Sequence, residues 1–207
     1  MNKEIFKPSN FKIQNVEFSD VKGTKDRKMV YVNYKNNNSK IRIILQTPLM
    51  SLPYGCTVYE KDNGDKKYVL NFSFGNIENN PMYDCFDQLD KLILETAAKE
   101  SLAWLGKKKV SKEVIEDKYS KLVSYSKDKE TKEPNTKYPP TLKVTIPIKN
   151  GEVDCAFYNN KKEKLDVKPE DLKTLIAKGG KAKALIEPSV LWLGSNISCT
   201  WKLCQIR

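Results

Sequence analysis

The sequence contains no histidine, and this absence removes several classes of active site at once. A histidine-based catalytic triad, a zincin motif and a histidine-ligated metal centre are all excluded. The phosphate-binding pattern G-x-x-x-x-G-K-[ST] is missing too, because residues 106–107 lack the upstream glycine and residues 179–181 are typical of a helix end. We therefore expect a protein that is not an enzyme and that needs no metal and no cofactor.

Cysteine is scarce and scattered. The five cysteines form no C-x-x-C pair, so neither a disulfide framework nor a zinc site is expected. The sequence also lacks a signal peptide, an apolar run long enough to span a bilayer, and a helix with lysines along one apolar stripe. These absences predict an intracellular protein without a membrane partner.

Positive charge is abundant. The chain has 37 lysine and arginine residues against 26 aspartate and glutamate residues, which gives a net charge of +11. A surplus of this size favours an anionic partner, namely nucleic acid, acidic lipid or an acidic protein. The alternative is a lysine-rich solvated surface that binds nothing anionic. The lysines occur in short runs between Lys99 and Lys183, with a smaller cluster over residues 22–28.

Alternating apolar and polar residues predict strands in the amino-terminal half. Residues 28–34 and 40–47 flank the turn 36–39, an arrangement typical of a β-hairpin. Residues 66–74 alternate in the same way after a turn at 63–65. The side chains expected to face the core from these strands are Ile41, Ile43, Leu45, Tyr68, Leu70, Phe72 and Phe74.

A helical insertion over about 81–125 interrupts the strands. The pair Asn80-Pro81 predicts the start of a long helix, an apolar stripe at helical spacing continues to about Trp104, and a second, shorter helix follows Ser111. Residues 126–140 are polar, basic and terminated by prolines, so we expect a mobile loop there.

Strands resume at residues 141–148 and 152–159, before a short helix from Pro169 and a closing hairpin. The order of strands, helices and strands predicts an α+β fold that is mainly β. Helices enclosed between strands are typical of a β-barrel that closes around an insertion. We expect one domain over residues 1–207, which is long enough to bury a core.

The closing hairpin, SVLWLGSNISCTWKLCQIR at 189–207, contains two of the three tryptophans. A two-residue loop would place Trp192 and Trp201 on the same face and mix apolar with polar residues. A three-residue loop, 194–196, separates them better, with Trp201 in the core and Trp192 outward beside Lys202. Such a loop needs a left-handed conformation, which Asn196 tolerates.

An outward indole beside lysine is what an unpaired nucleic-acid strand requires. Stacking of a base on an aromatic ring contributes about 1–3 kcal/mol and tolerates any base, and lysines gain binding energy by releasing counterions. The alternative is that the inserted helix covers Trp192, because tryptophan is usually largely buried. The same parity argument predicts that adjacent Phe157 and Tyr158 point in opposite directions, and that Tyr31 and Tyr34 do so too.

Two segments, TKYPPTLKVTIP at 136–147 and KAKALIEPSVLWLGSNISCTWKLCQIR at 181–207, carry a family resemblance. The sequence over roughly 85–207 resembles the single-stranded-DNA-binding proteins of nucleocytoplasmic large DNA viruses. The resemblance implies an OB-fold-like antiparallel barrel that coats single strands in viral DNA replication, recombination or repair. It implies action at the site of viral DNA replication, in host cytoplasm or nucleus, with the virion as an alternative location. Viral replication proteins and further copies of the same chain are candidate partners, and the sequence does not give the oligomeric state.

The resemblance also implies a set of nucleic-acid-binding residues on the matching strands. An acidic tail that recruits partners, common in bacterial and phage single-stranded-DNA-binding proteins, has no counterpart in the terminal CQIR. The residues expected to contact DNA are Lys143, Lys183, Trp192 and Lys202, with Arg42 and Lys67 from the less similar half and Tyr158 from strand parity.

Two other functions remain open at this stage. A virion structural or minor capsid protein would use the same basic surface to neutralise packaged DNA. A nuclease would need metal-binding carboxylates, and Asp84, Asp87 and Asp90 are candidates. These aspartates alternate with the apolar stripe of the long helix, however, which is typical of a solvated helix face.

Overall fold

Strands predominate in the structure, a computed structural model that describes residues 2–24, 27–36, 39–60, 62–128 and 130–207. Within these ranges, 17 strands hydrogen-bond into one sheet and two small ladders lie apart from it. The strands of the first half are β1 (Lys3–Phe6), β2 (Val16–Phe18), β3 (Lys22–Thr24), β4 (Arg27–Val30), β5 (Val32–Asn36), β6 (Ser39–Gln46), β7 (Met50–Leu52), β8 (Cys56–Glu60) and β9 (Lys66–Ser73).

The second half contains the helices and the remaining strands. The α-helices are α1 (Pro81–Lys99), α2 (Ser101–Leu105), α3 (Lys112–Lys118) and α4 (Leu172–Leu175), and 3₁₀ turns cover Pro8–Asn10, Ile13–Asn15 and Pro169–Asp171. The strands are β10 (Tyr119–Ser120), β11 (Val123–Ser124), β12 (Ser126–Lys127), β13 (Pro134–Asn135), β14 (Thr141–Ile146), β15 (Ile148–Lys149), β16 (Glu152–Val153), β17 (Ala156–Tyr158), β18 (Lys164–Leu165), β19 (Gly180–Ala182), β20 (Ala184–Leu193) and β21 (Ile197–Ile206). No helix among the described residues has both the length and the apolar character needed to cross a bilayer.

The strand order brings distant parts of the chain together around one core. The closing hairpin β20–β21 is antiparallel, and β20 also pairs with β6 and β4. On the other side β21 pairs with β14, β14 pairs with β9, and β9 pairs with both β7 and β8. The mainly β class with helices is therefore confirmed.

The ladders are not all antiparallel, contrary to the expectation of an antiparallel barrel. β14 runs parallel to β21, where Val144 lies opposite Trp201, and β1 runs parallel to β6. Parallel partners must be distant in the sequence because a tight turn cannot join them. A hairpin pattern along the sequence therefore does not reveal these pairs.

Helix α1 closes the inner side of the sheet. Its first turn is capped by Asn80, whose Oδ1 accepts hydrogen bonds from the backbone N–H groups of Met82 and Tyr83 at 3.0 and 3.2 Å. The ring of Phe86 lies 4.8 Å from that of Trp201, edge to face, and both side chains are fully buried. Since Trp201 points inward from β21, the helix covers the inner face of the sheet.

The helix predictions need three corrections. Helix α1 ends at Lys99, before the predicted Trp104, and the separate α2 ends at Gly106 in the left-handed conformation with φ of 70°. The short helix after Pro169 stops at Leu175, before the glycines. Asp90 does not lie on a solvated face: it is 5% exposed and accepts hydrogen bonds from Tyr119, Leu122 and Val123.

The predicted β-hairpin is confirmed by the β5–β6 ladder, although residues 37 and 38 of its turn lie outside the described residues. Its first strand, predicted over 28–34, is divided at Tyr31 into β4, which pairs with β3 and β20, and β5. Within 126–140, which we expected to be a loop, β12 and β13 form a small antiparallel ladder. All seven side chains that the amino-terminal strands were expected to direct inward are buried: Ile41, Ile43, Leu45, Tyr68, Leu70, Phe72 and Phe74.

Candidate nucleic-acid interface

The closing hairpin separates its two tryptophans as the three-residue loop predicts. Leu193 lies opposite Ile197 across Gly194–Asn196, and Trp192 lies opposite Ser198. Trp201 is fully buried, whereas Trp192 is 39% exposed. The inserted helix therefore does not cover Trp192. The loop closes without the left-handed residue that we expected, since Asn196 is not among the described residues with positive φ.

Trp192 stands on the outer face of the sheet at one end. In the ladders that flank β20, Met29 of β4 lies opposite Trp192, and Lys22 of β3 lies opposite Met29. Tyr31, the next outward residue along the chain, is 38% exposed, while Tyr34 is buried as parity predicts. The Trp192 ring is therefore open to solvent, with the cation of Lys22 two strands away.

A second aromatic surface lies on the outer side of β8, β9 and β14. We name it the tyrosine cleft: it has a volume of about 450 Å³ and is lined by Tyr54, Tyr59, Tyr138 and Lys143 together with polar side chains such as Asn71 and Thr141. The three tyrosines are 56%, 47% and 63% exposed. Three rings open to solvent in one cleft are unusual because aromatic side chains normally bury most of their area.

Strand register explains how the tyrosine cleft forms. Tyr59 lies opposite Lys67 in the β8–β9 ladder, and Lys143 lies opposite Asn71 in the β9–β14 ladder. Cross-strand neighbours share a face, so all four side chains point outward. The Nζ atom of Lys143 lies 5.7 Å from the centre of the Tyr59 ring, which is within cation–π range.

Two lysines, from β1 and β21, bind one buried carboxylate of β20, an arrangement we name the lysine bridge. Glu187 of β20 is 4% exposed, and its carboxylate lies 2.9 Å from Lys202 Nζ and 3.0 Å from Lys3 Nζ. Burial on its own would raise the pKa of Glu187, but hydrogen bonds and charges from Lys202 and Lys3 outweigh it and lower that pKa. The charge of Lys202 is therefore partly neutralised within the protein.

A third outer surface lies where β20 and β21 approach the short strand β17. We name it the carboxyl-terminal cleft: its volume is about 250 Å³, and it is lined by Tyr158, Lys162, Lys183, Arg207 and neighbouring residues. Lys183 and Arg207 exchange two backbone hydrogen bonds of 2.9 Å, which fixes both at one site. As predicted, Tyr158 points outward while Phe157 is buried.

The predicted residues thus share one face but do not form one compact site. Lys143 and Lys67 belong to the tyrosine cleft and its edge, Lys183 and Tyr158 to the carboxyl-terminal cleft, and Trp192 stands at the far end of the closing hairpin. Arg42, which is exposed, lies opposite Lys3 in the β1–β6 ladder, and Lys202 belongs to the lysine bridge.

Sequence reasoning missed the tyrosines of the cleft and the cations beside the predicted set. A signal for Tyr59 existed, since it ends an alternating strand just before the turn at 63–65, whereas Tyr54 and Tyr138 lie in turns without periodicity. Within the described ranges, no cluster of three acidic or thiol side chains is arranged to hold a metal ion. The missed residues are Tyr54, Tyr59, Tyr138, Lys3, Lys162 and Arg207.

The chain matches no protein-family model and no curated protein sequence. It is similar to solved structures of phage proteins. A single-stranded DNA-binding protein from bacteriophage Enc34 with a C-terminal truncation shows 13% identity and a TM-score of 0.46 over 92% of this chain and 91% of that one. The Enc34 protein in complex with ssDNA gives 13% identity and a TM-score of 0.45, with 92% and 93% covered.

A third similar structure is gp2.5, a single-stranded DNA-binding protein encoded by bacteriophage T7. It shows 15% identity and a TM-score of 0.43 over 79% of this chain and 89% of that one. All three are phage proteins, so membership of the family of nucleocytoplasmic large DNA viruses is not shown. Shared architecture at this distance does not carry function, which has to be argued from the surface residues.

Proposed function

We propose that this protein binds single-stranded DNA without catalysis and largely without regard to sequence, in viral DNA replication, recombination or repair. The observation that carries the proposal is the tyrosine cleft, where three exposed rings and Lys143 face solvent together. The names of the similar phage structures describe the same activity.

Exposed rings in a basic groove suit an unpaired strand. Every base presents a π-face, so stacking on Tyr54, Tyr59 or Tyr138 would contribute about 1–3 kcal/mol per base whatever the sequence. The bases of duplex DNA are already stacked on one another and cannot reach these rings. The cleft therefore favours single strands over duplex.

Positive side chains beside the rings would neutralise the phosphates. Lys143 lies next to Tyr59 within the cleft, and Lys67 lies opposite Tyr59 in the ladder. Each phosphate neutralised releases condensed counterions, so binding weakens as salt rises. Lys183, Arg207 and Tyr158 would extend contact along the same face, and Trp192 would add a stacking surface at its other end.

The proposal also includes the arrangement of the strands and the domain organisation. We propose that the strands curl into an OB-fold-like barrel within a single domain over residues 1–207, with α1–α3 as an insertion at about 81–125 and with mobility in 126–140. The succession of pairings β6–β20–β21–β14–β9–β7, in which β7 follows β6 along the chain, supports the barrel. Kinship with the proteins of nucleocytoplasmic large DNA viruses is a proposal on the sequence resemblance, and a homo-oligomeric state is a separate proposal.

Titration with fluorescein-labelled oligo-dT and with a matched duplex, at two salt concentrations, tests the function. We expect oligo-dT to bind far more tightly than duplex. Replacing Tyr59 with Ala should weaken oligo-dT binding by about 1–3 kcal/mol, while Tyr59→Phe keeps the ring and should bind like the wild type. Replacing Lys143 with Gln should reduce the slope of log affinity against log salt by about one.

Equal affinity for single and double strands would overturn the proposal. So would an unchanged affinity in Tyr59→Ala together with a loss confined to lysine variants. That second pattern would instead fit the virion structural role, in which a basic surface neutralises DNA of any form.

A further inference from the structure

A fourth surface depression, distinct from the tyrosine cleft, is mainly aliphatic. It lies between the β17–β18 ribbon and β19, has a volume of about 300 Å³, and is lined by apolar side chains that include Leu52, Phe157, Leu165, Ile176 and Ile206. Leu175 at its rim is 46% exposed. We name this surface the edge cleft.

The edge cleft runs along an open sheet edge. Among the described residues, β19 pairs only with β7, where Lys181 lies opposite Ser51, and β18 pairs only with β17. Both edges belong to strands that line the cleft, and on β19 the N–H of Gly180 already donates to the carbonyl oxygen of Ala177 at 3.2 Å. An open strand edge presents unsatisfied N–H and C=O groups that can pair with another extended chain.

Cations predominate around the edge cleft. Lys181 and Arg207 line it, and Lys162 and Lys164 are exposed in the adjoining segment. That segment also contains two acids: Asp166, which is exposed next to Leu165, and Glu163, which is engaged by Asn159, whose Nδ2 donates to its carboxylate at 2.6 Å. A ligand of complementary charge would be acidic.

From these features we infer that the edge cleft is a docking site for an extended acidic peptide segment of a partner protein. The peptide adds a strand along Gly180–Ala182, places an apolar side chain among Leu52, Leu165 and Ile176, and directs its carboxylates to Lys181 and Arg207. Main-chain pairing provides affinity, and the apolar and charged contacts provide specificity. This inference goes beyond DNA binding and does not depend on it.

A nucleic-acid strand fits the edge cleft less well than a peptide does. Bases need exposed aromatic faces, but Phe157 is 4% exposed, and the rest of the cleft wall is largely aliphatic apart from Tyr158 at its margin. Aliphatic side chains and a free strand edge complement a peptide instead. The tyrosine cleft, in contrast, exposes aromatic rings and therefore suits bases.

The test uses two synthetic peptides, Asp-Glu-Asp-Val-Phe-Val-Glu-Asp and the same peptide with lysine at every acidic position. Binding to isotope-labelled protein is followed by NMR and by fluorescence anisotropy. We expect only the acidic peptide to bind, with shifts centred on Gly180–Ala182 and with slowed amide exchange there. Lys181→Glu should weaken binding at least tenfold, whereas Lys109→Glu, an exposed matched control, should change it less than twofold.

Two further comparisons separate docking from simple charge attraction. Replacing the peptide phenylalanine with aspartate, or methylating its central backbone nitrogens, should weaken binding at least tenfold. Leu175→Ser, an uncharged change at the exposed rim, should weaken peptide binding but leave oligo-dT affinity within twofold of the wild type, so DNA binding and peptide docking can fail separately. Peptide-induced shifts centred on the tyrosine cleft, or a peptide affinity unchanged in Lys181→Glu, would overturn the inference.

Discussion

The Nζ atom of Lys202 lies 2.9 Å from Oε1 of Glu187, its partner across the β20–β21 ladder. Lys3 binds the other oxygen of the same carboxylate at 3.0 Å. A nearly buried carboxylate therefore withdraws two cations from the face that we propose binds phosphate. Any phosphate that approaches Lys202 has to compete with Glu187.

Replacing Glu187 with Gln should tighten binding of oligo-dT, because Lys202 and Lys3 become available to the phosphates. The slope of log affinity against log salt should steepen by up to about two, one for each released lysine. Anisotropy titrations over a range of salt measure both quantities. The double variant Glu187→Gln with Lys202→Ala is the control, and it should lose about half of the added slope. An affinity that falls in Glu187→Gln would show that the bridge positions the site instead of competing with it.

The lysine bridge also predicts how stability responds to acid. The two lysines hold the pKa of Glu187 below its usual value of 4.5, so the bridge stabilises the fold fully above that value. As pH falls through the lowered pKa, the carboxylate becomes protonated and this contribution is lost. Thermal melts of the wild type and of Glu187→Gln should therefore converge in strong acid and differ most at neutral pH. A difference that grows with acidity would contradict this sign.

The alternation of apolar residues was enough to predict the long strands, such as β6, β9, β14 and β21, and the burial of their inward side chains, but it missed short strands such as β1, β7 and β8. Leu142, Val144 and Ile146 face the core as their spacing requires, and the closing hairpin has the predicted loop. Periodicity specifies which side of a strand is wet because side chains alternate. It does not specify which strand lies alongside.

The candidate site depends on which strands are neighbours, and periodicity does not specify this. Lys143 and Asn71, or Tyr59 and Lys67, are neighbours only through ladder register, and Tyr138 reaches the cleft from a turn. Glu187 resembles any surface acid in the sequence, yet it is 4% exposed. The outward direction of Trp192 could be predicted because the apolar and polar residues of one hairpin were sufficient to select its loop length.

The two tryptophans of the closing hairpin should respond oppositely to replacement. Trp192→Ala should weaken oligo-dT binding by about 1–3 kcal/mol with little effect on the free energy of unfolding. Trp201→Ala should instead lower that free energy by about 3–5 kcal/mol, because it leaves a cavity beside Phe86. Urea denaturation and DNA titration of both variants provide the measurements. Equal destabilisation, with unchanged binding per folded molecule, would show that Trp192 contributes to the core.

Asp90 is expected to fix the segment after α3 to helix α1. Its carboxylate accepts hydrogen bonds from the hydroxyl of Tyr119 at 2.5 Å and from the backbone N–H groups of Leu122 and Val123 at 2.8 and 3.1 Å. Burial raises the pKa of Asp90 despite these bonds. Asp90→Ala leaves three donors without a partner and should lower the free energy of unfolding by roughly 3 kcal/mol.

Asp87→Ala is the matched control for Asp90. Asp87 pairs with Lys91 at 2.6 Å on the surface of the same helix, and an exposed pair of this kind contributes about 0–1 kcal/mol. Urea denaturation of both variants gives the comparison. If the two variants lose the same free energy of unfolding, the three hydrogen bonds to Asp90 add nothing to stability beyond the loss of an acidic residue from the helix.

Gly55 lies next to residues of both the tyrosine cleft and the edge cleft, and its backbone makes one tight contact. It has φ of 62°, and an added Cβ would lie 2.5 Å from the carbonyl oxygen of Ile176, which lines the edge cleft. Its neighbour Tyr54 lines the tyrosine cleft. Gly55→Ala should therefore lower the free energy of unfolding by more than about 2 kcal/mol and weaken both oligo-dT and acidic-peptide binding. Gly64→Ala has a similar φ of 81° but open space around its Cβ, so it should cost only about 1 kcal/mol of backbone strain. If the two variants unfold at the same urea concentration, the contact with Ile176 is not close enough to couple the two surfaces.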